Sequence, residues 1–128
     1  MMNKLTWALQ ILAALAFSAG GGMKLVTAPA DLRADPAMGW ATDFSDGAIR
    51  AIGAAEVAGG LGLIIPAATG IAPMLTPAAG VGLALLMGGA VYTHVQRNEP
   101  VVPPIVLGTL ALAAGLLRAK RMRGSVGN

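Results

Sequence analysis

Charged residues divide this chain into long apolar segments. No charge falls between Lys4 and Lys24, and a helix needs about 20 mostly apolar residues to cross a bilayer, so the pattern predicts a first span over residues 6–24. A second uncharged stretch runs from Val57 to Thr93 and is punctuated by Pro66, Gly70, Pro73 and Pro77. It is too long for one crossing. Proline lacks the amide hydrogen and clashes with the preceding turn, so the cluster predicts a hairpin between spans over 47–66 and 72–95, with a tight uncharged turn at 66–72. Gln96–Pro100 is polar, and a fourth span follows over 101–118. Its Pro103 and Pro104 fall in the first turn, where missing amide donors matter little. Residues 27–46 mix Asp31, Arg33, Asp35, Asp43 and Asp46 with Pro29, Pro36 and Trp40. They read as a polar loop carrying one short interfacial helix at Asp31–Met38, with Trp40 at headgroup level.

Composition supports the membrane reading. Of 128 residues, 55% are hydrophobic and 12% charged, against about 25% charged in soluble domains. Too few polar groups remain to cover a globular surface of this size. The 18 glycines would weaken a soluble core, but in lipid small residues let helices approach closely. The expected fold class is all-α, an integral membrane four-helix bundle forming a single transmembrane domain over 1–128. A secretory signal peptide is the rival reading of the first segment, given its basic start and the small pair Ala19-Gly20. The run Gly20-Gly21-Gly22 continuing into Met23-Lys24-Leu25 favours a span. No internal repeat is visible.

The net charge of +3 and pI near 10.0 raise the question of nucleic acid. Arg118, Lys120, Arg121 and Arg123 follow the last span, with no aromatic stacking platform beside them, so no nucleic-acid partner is expected. They serve better as an orienting basic flank. With four spans, Lys4 and these four residues share one side, against Lys24, Arg33, Arg50 and Arg97 on the other. Five against four places both termini in the cytoplasm. The bilayer is then the first partner of the chain.

Cysteine is absent, which removes disulfides, thiolate nucleophiles and iron–sulfur ligands. The single histidine, His94, excludes multi-histidine metal or bis-histidine haem ligation within one chain. No metal site and no covalently bound cofactor are expected; a redox cofactor would be a diffusible lipid-phase molecule such as a quinone, or belong to a partner. Glu56 is the one acid inside a span, and an intramembrane ionisable group is a functional candidate by default. Ile49, Gly53, Glu56, Gly60 and Leu63 share one helix face, whose glycines should turn Glu56 toward the bundle. Glu56 lies about 9 Å along its helix from Arg50. The alternating topology gathers Lys24, Arg50, Glu56, Tyr92 and His94 into the non-cytoplasmic half. Two readings follow. A carboxylate beside an imidazole can relay protons to a quinone or another lipid-phase substrate. Equally, Glu56 paired with Lys24 or Arg50 can fix helix register, with His94 at the interface and the cations snorkelling at helix ends. Other signals are weaker. Gly80, Ala84 and Gly88 form a packing stripe, and Met74 and Met87 fill apolar space. Gly59-Gly60-Leu61-Gly62 has neither the preceding strand nor the lysine of a phosphate loop, and no serine–histidine–acid arrangement is present.

Several segments resemble one family when taken in order: Gly22-Met23-Lys24-Leu25, Met38-Gly39-Trp40-Ala41, the run from Ile52 to Leu63 with Glu56 at its centre, Pro66, and Ala90-Val91-Tyr92-Thr93-His94. Together they are similar to the DoxX-like family of bacterial membrane proteins over nearly the whole chain. The resemblance implies a four-helix bundle in the cell inner (plasma) membrane. The family takes its name from a subunit of an archaeal thiosulfate:quinone oxidoreductase, and some relatives are partners in membrane redox complexes. Related animal proteins are assembly chaperones for receptors. A redox-associated subunit contacting quinone is therefore one expectation, and a non-enzymatic interaction or assembly protein is the other. A redox-complex partner or a homo-oligomer would fit either. Lys24, Arg50, Glu56 and His94 are the polar residues at matching positions. Without cysteine, a thiol-dependent redox mechanism is not open to this chain.

Overall fold

The computed structural model describes residues 2–127, with side chains described for 3–124. Helix α1 (Met2–Val26) leads into a short helix α2 (Pro29–Ala34) and a 3-10 segment (Pro36–Asp43). Helices α3 (Asp46–Gly62) and α4 (Ile65–Thr69) form one broken rod, followed by α5 (Leu75–Gln96) and α6 (Val102–Gly127). Four of these rods (α1, α3 with α4, α5, and α6) are long and apolar enough to cross a membrane. No strand occurs among the described residues.

Three boundaries differ from the sequence expectation. The 27–46 stretch holds two short helical pieces rather than one helix at Asp31–Met38. Pro29 and Pro36 each open a piece, since a first-turn proline loses no hydrogen bond. Asp35 between them is extended, as a residue before proline tends to be, and its Oδ1 accepts from the Ala37 amide at 2.9 Å. The second crossing continues past Pro66 until Gly70, whose φ of 72° ends it, as left-handed glycines commonly do. Finally, α6 carries the basic residues on its own turns rather than on a flank beyond them; lysine and arginine are good helix formers.

The bundle is apolar outside and small or polar inside. Leu12, Leu15 and Leu85 are 57%, 64% and 73% exposed, whereas Ala13, Ala14, Ala111, Ala114, Gln10 and Thr76 are buried with Phe17, Leu63 and Leu83. In water such a surface would be an aggregation liability; in lipid it needs no cover. Helix α1 lies against α3 and α5 against α6, the two pairs joining mainly through α1 and α6. Glycines set both close contacts. A methyl group built on Gly21 would lie 2.5 Å from the Gly53 carbonyl oxygen, and one on Gly80 would lie 2.8 Å from Gly115 Cα. Within the expected Gly80, Ala84, Gly88 stripe, only the Gly80 end makes such an approach. A methyl group built on Gly88 would meet nothing within 4 Å, and Met87 takes the buried position instead. Met74 is exposed.

The break between α3 and α4 is the main irregularity. Pro66 cannot donate to the Gly62 carbonyl, and a backbone group left unpaired inside a bilayer is costly. Thr76 Oγ1 donates to that oxygen at 2.8 Å and accepts from the Ala67 amide at 3.2 Å. Gln10 Nε2 donates to the Leu63 carbonyl at 2.6 Å. Side chains from α1 and α5 thus complete the broken ladder.

Because the α1–α3 contact is backbone to backbone, Gly53→Leu should destabilise the detergent-solubilised protein by roughly 3 kcal/mol. Gly22→Leu, at a position where an added Cβ would meet nothing within 4 Å, should be near neutral. Thermal unfolding of the two variants side by side checks this, and equal effects would refute the close approach.

Candidate functional site

Glu56 belongs to the face formed by Ile49, Gly53, Gly60 and Leu63, and all five residues are buried. Its carboxylate meets α1, where Lys24 Nζ lies 2.7 Å from Oε1, with the side chains 12% and 6% exposed. The contact is an ion pair: among the described residues no donor makes an angularly sound hydrogen bond to Oε1. Glycine lets α1 come this near. A methyl on Gly53 would strike Lys24 Cβ at 2.9 Å, and one on Gly20 would sit 3.7 Å from Glu56 Oε2. Arg50 is occupied elsewhere. Its Nη1 donates to the Lys24 carbonyl at 2.9 Å and to that of Leu25, the last-turn carbonyls of α1, where a cation also meets the negative end of the helix dipole. So Lys24, rather than Arg50, is the partner of Glu56.

The connector after α1 roofs this pair. Leu32, Ala41 and Ile49 form a small buried cluster against Met38, Trp40 and Phe44. Trp40 meets Phe44 edge-on at 5.7 Å and lies 5.6 Å from Lys24 Nζ, within cation–π range. It therefore covers the site. Arg33 ties the roof down through Asp46 at 2.6 Å and the Phe44 carbonyl at 2.9 Å.

His94 joins a different group. Its Nδ1 lies 2.9 Å from Glu99 Oε1, while Arg97 bridges Glu99 Oε2 at 3.1 Å and Asp43 Oδ2 at 2.8 Å. Burial pushes the Glu99 carboxyl up, but the hydrogen bonds from His94 and Arg97 outweigh it and hold the group below its ordinary value. The Asp43 hydrogen bond, then that of Glu99, raises Arg97. Of the five candidates, Glu56 and Lys24 pair, and Arg50 meets only the backbone carbonyls of Lys24 and Leu25. His94 sits with Glu99 at the same end, and Tyr92 is 67% exposed.

A family model described as the DoxX-like family matches residues 8–116. The chain belongs to the DoxX-like family. No match was found among curated proteins or among solved structures. The match spans every residue named so far around Glu56 and His94, and the membrane bundle follows from the family and the four apolar rods alike.

This DoxX-like chain has a third polar group, one that the residue pattern did not reveal. At the opposite end of the bundle, Arg118 Nε donates to Gln10 Oε1 at 2.8 Å, and its guanidinium lies 4.6 Å from the Trp7 ring centroid. Gln10 in turn serves the α3–α4 break. The polar positions of Gln10 and Thr76 inside apolar runs were the available signal; their partners, 53 and 14 residues away, carry no local spacing. Arg97, Glu99 and Asp43 were likewise visible only as loop charges.

Removing one member of a buried ion pair strands the other. Lys24→Met should destabilise the protein by about 3 kcal/mol, and Lys24→Met with Glu56→Gln by clearly less than the sum of the single changes. Additive effects in a double-mutant cycle would deny the pairing. A second expectation concerns pH. Since the folded state holds Glu99 below its unfolded value, its stabilisation is complete above about pH 4.3 and is lost as pH falls through the folded value. The stability difference between wild type and Glu99→Gln should shrink as pH falls below that point. A difference already shrinking near neutrality would contradict the assignment.

Proposed function

We propose that this chain is a non-enzymatic membrane subunit that binds transmembrane helices of other proteins, with Glu56 fixing its own helix register. The observation that supports this is the closed Glu56–Lys24 pair, walled by glycine backbone and roofed by Trp40. The imidazole expected to exchange protons with Glu56 is engaged by Glu99 instead. The outer face is apolar, and at one place it is also lined by small residues. A groove of about 450 Å³ between α3 and α5 is lined by Ala55, Gly59, Ala79, Gly82, Leu83 and Leu86, among others, and small residues suit the close approach of an apolar helix. The basic end of α6 and Lys4 support an inner-membrane orientation with both termini cytoplasmic.

A redox-associated role with quinone retains one favourable observation, the same groove, which is apolar and opens sideways; neither Glu56 nor His94 lines it. One set of experiments separates the readings. The tagged chain is isolated from native membranes in mild detergent, and quinone binding and partner-dependent quinone reduction are measured for wild type and Glu56→Gln. The expected outcome is a stable membrane partner, no turnover by the chain alone, and reduction insensitive to Glu56→Gln. Quinone binding that disappears in Glu56→Gln, while helicity and partner capture persist, would overturn the proposal. Isolation of a homo-oligomer alone would also overturn it.

A further inference from the structure

Charge is segregated along the bundle. All six acids (Asp31, Asp35, Asp43, Asp46, Glu56 and Glu99) lie in the half that contains the 27–45 connector. The opposite end carries Lys4, Arg118, Lys120, Arg121 and Arg123 with no acid among the described residues. The negative end of a helix dipole is worth about half a charge, so it balances only a fraction of these five. Arg118 is turned inward to Gln10 and Trp7. Lys120 and Arg123 instead rim a groove of about 980 Å³ whose walls are Met74, Leu116, Leu117 and Met122. Met74 and Leu116 are 63% and 53% exposed, so this apolar wall is continuous with the lipid-facing surface.

We infer that this groove binds an anionic phospholipid, its phosphate at Lys120 and Arg123 and its acyl chain along Leu116, Leu117 and Met74. Two cations with no local acid favour a headgroup of net negative charge over a zwitterionic one. The apolar wall has no use for a free phosphate, and no aromatic ring lines the groove to stack a base. The site stands apart from the Glu56 pair and does not depend on what the α3–α5 groove binds.

The test uses the full chain in mild detergent, with phosphatidylglycerol and phosphatidylcholine as probes and native mass spectrometry as the readout. Phosphatidylglycerol should be retained in preference to phosphatidylcholine, and Lys120→Gln with Arg123→Gln should reduce that preference at least about fivefold. Circular dichroism of the double variant confirms retained helicity. If the variant is not helical, the single changes Lys120→Gln and Arg123→Gln carry the test, each with a smaller loss expected. Equal retention of the two lipids by wild type, or unchanged preference in folded variants, would overturn the assignment. So would displacement of phosphatidylglycerol by excess glycerol 3-phosphate, which would mark a site for soluble phosphate.

Discussion

Inside a bilayer no water is available to satisfy a polar group, so every such group must find its partner within the protein. In this chain that constraint operates at two levels and locks the four rods to one another. Toward one end, the Glu56 carboxylate meets Lys24 across the α1–α3 contact. Toward the other, the carbonyls and amide released by Pro66 are met by Gln10 of α1 and Thr76 of α5, with Arg118 of α6 behind Gln10. All four rods contribute to one or other of these groups. Many large side chains, Leu12, Leu15 and Leu85 among them, are turned outward, so polar pairing and glycine-mediated approach add specificity to the small core around Phe17, Leu63 and Leu83.

This arrangement makes the function of Glu56 a question of space as well as charge. A carboxylate that relays protons needs a path to its donor and to its substrate. Here α1 backbone lies against the acid, the Lys24 ammonium occupies one oxygen, and Trp40 lies over the ammonium. The His94, Arg97, Glu99 and Asp43 group has a comparable internal economy: it fastens the end of α5 to the connector. Both groups thus hold segments of the chain in place, which is why an interaction role fits the geometry better than catalysis by the isolated chain.

Much of the bundle was legible in the residues. Runs without charge located the rods, and the 3.6-residue repeat placed Ile49, Gly53, Glu56, Gly60 and Leu63 on one face, all of them buried. Those signals are local. Pairing is not: nothing near Glu56 in sequence distinguishes Lys24 from Arg50, and the choice was made by Gly21 and Gly53 drawing α1 close while Arg50 turned to the helix end. Gln10 was hidden because its role depends on a helix break 53 residues away. The two pieces of the connector could have been read from Pro29 and Pro36, each a helix-opening proline, with Asp35 as the cap between them.

The central claim is that Glu56 and Lys24 form a closed structural pair in the membrane. Magic-angle-spinning NMR of the full chain in lipid bilayers tests it most directly, through dipolar recoupling between labelled Lys24 Nζ and Glu56 Cδ with and without added quinone. Direct contact between the two groups, unchanged by quinone, is the expected result. Loss of the coupling, or its disappearance when quinone is added, would contradict a closed pair and restore Glu56 to chemistry.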